Sequence, residues 1–286
     1  MNVLERTVWS NPVLRHELRS LTRLPRQLSG SRRLRWLAAL LLAWSFGMLL
    51  FEFGYVMGDR RHPDDSFFQD LAFACLALTM LLAPVQAAGA IAGERQRNTW
   101  EMLLTTPLTP REILGGKYLG RLLNWACYLA LSLPFLVEAA WHAEHPGLLW
   151  LIFWLVLPPT YLGLSALGLL CSARSRTAAQ ARVLAVSWAL ALVGGVPLAE
   201  TLWNSLVGGS GDGYYASFVT CPPMAAAAMF ERCTFVPDGG RLAPESALAW
   251  LMPIFYLLLA AGCLLALTFW FNRWLRSETV RPAHED

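Results

Sequence analysis

The sequence predicts an all-α integral membrane protein with six transmembrane helices, both termini cytoplasmic, and an N-terminal amphipathic helix at the membrane interface. Three observations predict it. Of 286 residues, 56% are hydrophobic and only 15% charged, against roughly 45–50% and about 25% in soluble domains; the mean hydropathy is +0.42. The apolar residues gather into six continuous runs, each as long as the ~20 residues that cross a bilayer as helix. The basic residues are sorted between the two sides of those runs.

The runs lie at about 35–57, 67–92, 119–141, 148–171, 183–206 and 247–271. They are unbroken and rich in Leu and Ala, whereas membrane β-strands would alternate over about ten residues. Prolines within them (Pro84, Pro134, Pro158, Pro159, Pro197 and Pro253) are tolerated in a bundle, where neighbouring groups satisfy freed carbonyls. The first run begins after 34 residues and is too long for the 7–15-residue core of a signal peptide, so it is expected to remain as an anchor.

Of 23 Lys and Arg, 19 fall before the first run, between runs two and three, between four and five, or after six. Only Arg60, Arg61, Arg232 and Arg241 fall on the other side. The positive-inside rule then places both termini in the cytoplasm. A wrong span count would spoil this alternation. The net charge of +3 therefore reflects anchoring and not nucleic-acid binding.

Residues 1–34 precede the membrane domain of 35–271. Within them, Asn11 suits an N-cap and Pro12 the first helical position. Leu14, Leu18, Leu21, Leu24 and Leu28 form one stripe, with Arg15, Arg19, Arg23 and Arg26 covering the rest. Such a helix, Leu on one face and Arg on the other, suits the cytoplasmic headgroup region; packing on a soluble partner is the plainer alternative. Pro25 should end or kink it.

The loop after run two, residues 93–118, concentrates charge, caps and prolines. Asn98 with Glu101 forms a capping-box pattern, and Met102, Leu103 and Leu104 give the short helix an apolar face. Pro107 breaks it. Thr109, Pro110 and Glu112 start a second helix that runs into the third span. The product is a stiff helix-break-helix elbow joined to a span. A plain turn needs only four or five residues and no apolar face.

The order Glu94-Arg95, Thr99, Glu101, Leu103-Leu104, Thr106-Pro107-Leu108, Arg111-Glu112-Ile113 and Gly116-Lys117 resembles the signature loop of ABC-2 type permeases, the membrane subunits of a class of ATP-binding-cassette transporters. The resemblance extends to the layout: interfacial helix, six spans, this loop, and a long outer loop at 207–246. Asn98 and Trp100 stand where smaller residues are frequent in the family. The resemblance implies that residues 99–108 form a coupling helix docking on a separate ATPase. ATPase-coupling residues would be Glu94, Arg95, Thr99, Glu101, Met102, Leu103, Leu104, Thr106, Pro107, Leu108, Arg111 and Glu112. It implies two ATPase copies that bind ATP and Mg, a second permease copy or a related permease, and a multi-pass location in a plasma membrane, the bacterial inner membrane. An apolar centre with a charged rim suits such an interface.

This chain itself carries no nucleotide motif. A P-loop needs G-x-x-x-x-G-K-[ST], but around Gly116-Lys117 the sequence has Arg111 for the first glycine and Tyr118 for the hydroxyl residue. No cofactor, catalytic residue or metal is expected. His142-Ala143-Glu144-His145 fits neither metalloprotease pattern, and a solvated outer loop explains it.

Glu52, Glu138 and Glu200 lie in or at the rim of apolar runs and are candidate transport-path carboxylates. Each is about 26 Å along its helix from the cytoplasmic boundary residue, which also suits a wet outer interface. Cys221 and Cys233 share the outer loop and are a candidate disulfide; the other four cysteines fall in apolar runs. Residues 272–286 form a cytoplasmic tail. Two other functions fit these features: an ATPase-independent secondary transporter using the carboxylates, and a membrane scaffold. The first would favour internal repeats, and none is evident.

Overall fold

The computed structural model describes residues 65–97, 110–141, 143–207, 215–234 and 244–279. Among them every regular element is helical. In chain order these are α1 (Ser66–Gln96), α2 (Pro110–Trp141), α3 (Pro146–Arg174) and α4 (Ala178–Leu190). A single π turn, Ala191–Gly195, leads into α5 (Val196–Val207). Then come α6 (Tyr215–Thr220), α7 (Pro222–Thr234), a 3₁₀ segment (Pro244–Leu251) and α8 (Met252–Thr279).

Five of these helical stretches are long and apolar enough to cross a membrane: Ser66–Gln96, Glu112–Trp141, Pro146–Arg174, Ala178–Leu206 and Leu248–Phe271. They contain the second to sixth apolar runs. The first run, the N-terminal amphipathic helix with Leu14, Arg15, Leu18, Arg19, Leu21 and Arg23, and the tail beyond Thr279 lie outside the described residues.

Helix α3 is the centre. Over half of its spanning window, 56%, is buried, against 11% for the α4–α5 span. It packs on α1 and α8, and α4 completes a second layer against α1 and α3. Small residues make the central crossing close. A Cβ on Gly168 of α3 would sit 2.7 Å from the Pro84 carbonyl oxygen of α1. On the other side of α3, a Cβ on Gly163 would sit 2.6 Å from Cδ1 of Tyr256 in α8. Without a hydrophobic drive between helices in lipid, such backbone proximity and its dispersion contacts hold the bundle.

Polar side chains staple the same crossings. The Trp125 indole donates to Thr79 Oγ1 at 3.1 Å, joining α2 to α1, and its ring stacks on Tyr161 at 4.6 Å. The Tyr118 hydroxyl donates to the Leu162 carbonyl at 2.9 Å, and that of Tyr161 to the Arg121 carbonyl at 2.7 Å. These bonds satisfy hydroxyls that lipid could not.

The π turn has a local cause. Pro197 offers no N–H to the carbonyl of Val193, and Gly194 and Gly195 tolerate the widened backbone.

The outer connection at 207–246 is partly helical, and Pro222-Pro223 are suited to start a short apolar helix there. Residues 215–234 are two helices, α6 and α7, and Cys233 falls near the end of α7. Cys221 lies just before that helix, so about 12 residues of helix at ~1.5 Å each put the two cysteines roughly 18 Å apart. A disulfide needs Cα atoms within about 7 Å, and Cys221 is a free, buried thiol. That spacing leaves the candidate Cys221–Cys233 pair out of bonding reach.

Candidate functional site

The site is the base of the loop between α1 and α2. Helix α1 continues to Gln96 and α2 begins at Pro110. Helix α1 thus runs past its expected end at 92, α2 starts at Pro110 as its cap pattern predicts, and residues 98–109 lie between the described positions. Those residues include Thr99, Glu101, Met102, Leu103, Leu104, Thr106, Pro107 and Leu108, which lie outside the described residues. Arg111 falls in α2, but its side chain is not among those described; Glu112 is half-buried in the first turn.

The two roots of the loop are tied together. Lys117, about two turns into α2, is 1% exposed. Its Nζ lies 2.5 Å from Glu94 Oε1 and 3.1 Å from the Ala90 carbonyl oxygen, both on α1. Arg95 turns the other way. Its Nη1 donates to the carbonyls of Ala173 and Ser175, each at 3.3 Å, at the C-terminal end of α3. A cation there also complements the negative end of the helix dipole. Ser172 of α3 presents its Oγ to the backbone N–H groups of Ile91 and Ala92 at 3.0 and 2.9 Å. Gln96 Oε1 accepts from the Ala178 N–H of α4 at 3.3 Å, where Thr177 is the N-cap. The last seven residues of α1 therefore contact three other helices.

Glu94 and Arg95, expected to serve ATPase coupling, are thus engaged inside the bundle. Lys117 and Ser172 complete the arrangement; the sequence marks Lys117 as a cytoplasmic-side charge and as part of the Gly116-Lys117 pair, and it gives Ser172 no role.

The opposite end holds a second polar cluster that sequence reasoning missed. Asp65, 6% exposed, accepts from the N–H groups of Glu144 at 2.8 Å and His145 at 3.2 Å, just ahead of α3. His145 Nδ1 lies 3.4 Å from its other oxygen. The stretch expected as a solvated loop is thus pinned to the start of α1. Among the described residues there is no group of three or more metal-ligating side chains.

The candidate carboxylates separate. Glu52 lies outside the described residues, and Glu138 is exposed on α2. Glu200 of α5 accepts from the N–H groups of Ala216 at 2.7 Å and Ser217 at 3.0 Å, and from the Ser217 hydroxyl. It caps the short helix α6. Together with Gly195, Trp203 and Asn204 it also lines an open cleft of about 490 Å³ on the α4–α5 span. The Asn204 amide nitrogen is buried there without a hydrogen-bond partner among the described residues.

Five bilayer-length apolar helices, joined through polar staples at both ends, define a multi-pass helical membrane protein. Residues 36–209 match the family model of the ABC-2 family transporter protein. That match covers more than half of the chain, which therefore belongs to the ABC-2 transporter family as a membrane permease. No curated protein matches the sequence significantly.

Proposed function

We propose that this chain is the permease subunit of an ABC-2 type transporter whose ATP hydrolysis occurs in a separate P-loop ATPase docked on residues 99–108. The observation that carries this reading is the family match, which runs from the first apolar run through this loop to the end of α5. The anchored roots at Glu94, Arg95 and Lys117 support it physically, because an elbow fixed to packed helices transmits displacement. Two ATPase copies would bind ATP and Mg and drive two permeases, either two copies of this chain or one with a related permease. The substrate path would run along the permease–permease contact. The sparse cover on the α4–α5 span supports placing that contact there. The protein would reside in the bacterial inner membrane with both termini cytoplasmic.

Co-purification with a P-loop ATPase tests the reading. The wild-type chain should retain the ATPase, and Glu101→Arg or Leu104→Asp should release it. Undiminished association of both variants would overturn the docking site.

A further inference from the structure

The lysine at the root of the loop has an unusual placement. An anchoring lysine extends its ammonium toward water along its apolar stem. Lys117 instead turns inward, 1% exposed, to Glu94 Oε1 at 2.5 Å and the Ala90 carbonyl at 3.1 Å. A buried ion pair is weak evidence of stability, since desolvation offsets the attraction; fixing register is its better-attested use. Here the register is that of the two helices on either side of the loop. The same turns of α1 are bonded to α3 by Arg95 and Ser172, and to α4 by Gln96.

We propose that the Lys117–Glu94 pair is a positioning clamp that holds the two roots of the 98–109 loop at one spacing, so that a push on the loop moves α1 and α2 as a unit and passes through Arg95, Ser172 and Gln96 into α3 and α4. Glu94 then belongs to the transmission within the permease and not to the surface that meets a partner. The transmission role rests on the ATPase-docking reading above; the clamp itself does not. Two arguments favour a clamp over simple packing. Among the described residues the ammonium's charged and carbonyl acceptors both lie on α1, which sets the α1–α2 distance. The pair also stands at the loop end of the bundle, where the spacing of the roots is set.

The test uses the full-length chain with its P-loop ATPase in nanodiscs. Spin labels go on through non-canonical residues at Arg97 and Gly115, both exposed; a Cβ at Gly115 meets nothing within 4 Å. Three variants are compared: Lys117→Met, Glu94→Gln, and the double variant Glu94→Leu/Lys117→Met, which removes both charges and so any uncompensated buried one. Each should still bind the ATPase. Each should broaden the Arg97–Gly115 distance distribution and cut the permease's effect on ATPase turnover by roughly tenfold, within the usual range of coupling between sites. A purely structural pair predicts that the double variant, once as thermostable as wild type, recovers both the narrow distribution and the coupling. That recovery would overturn the proposal, as would a wild-type distribution in either single variant. If the wild-type chain binds no ATPase, the docking reading fails, and the distance distributions alone decide the clamp.

Discussion

Gly168→Ala isolates the closest helix crossing in the bundle. The added Cβ would lie 2.7 Å from the Pro84 carbonyl oxygen, 3.0 Å from the Ala87 Cβ and 3.1 Å from the Pro84 Cα. Ordinary contact begins near 3.4 Å, so α1 and α3 must part by about 0.7 Å at that point. The obstacle is mainly backbone, which cannot rotate aside as a side chain can. Overpacking of this kind costs about 1–3 kcal/mol. Glycine-to-alanine exchange in a helix also returns up to ~1 kcal/mol through backbone entropy. Gly262→Ala in α8 is the matched control, since a Cβ there meets nothing within 4 Å. The propensity gain is common to both variants, so their difference reports the crossing alone. At ~2–4 °C per kcal/mol the gap in thermal midpoint should be roughly 2–12 °C, with Gly168→Ala the lower. Fluorescence-detected size-exclusion after heating measures it in detergent. Equal midpoints for the two variants would refute the close approach of α1 and α3, and with it the central place given to α3.

Three further outcomes are expected. Asp65→Ala strands the N–H groups of Glu144 and His145 and should cost about 1–3 kcal/mol, while Asp65→Asn, which keeps one acceptor oxygen, should cost less; equal thermal midpoints for the two would count against the cap. Burial pushes the Cys221 thiol above its ordinary pKa, so slow maleimide labelling is expected in the folded chain, with an intact mass that retains both thiol hydrogens of Cys221 and Cys233; a mass lacking them would restore the disulfide. Gln at Glu52, Glu138 and Glu200 together should leave ATP-driven transport intact, because Glu200 serves as a helix cap; abolished transport with normal assembly would show that a carboxylate belongs to the path.

Pro110 shows what local chemistry makes legible. A fixed φ and a dispensable N–H suit the first helical position, and Thr109 and Glu112 flank it as a cap pattern, so the start of α2 was readable from four residues. The C-terminal end of α1 was less so. Gly93, Glu94 and Arg95 look like loop residues by composition, yet the helix continues to Gln96 because its polar side chains find partners on α2, α3 and α4. Those partners lie from 23 to over 80 positions away in sequence, and no local pattern announces them.

The sequence by itself determined the class of molecule: apolar runs of bilayer length, helical because lipid leaves each backbone group to be satisfied within its own segment, and charge sorted across them. Those are properties of single segments in a solvent. Tertiary structure decided which charges remain surface charges. Lys117 became a buried clamp and Arg95 a cap for α3. Glu200 became a cap for α6, and Asp65 an anchor for the turn before α3. Cys221 and Cys233 stand at opposite ends of the helix that begins at Pro222. Each outcome depends on which helix stands opposite; for α3 against α1 and α8, the glycines at 168 and 163 permit the close approach.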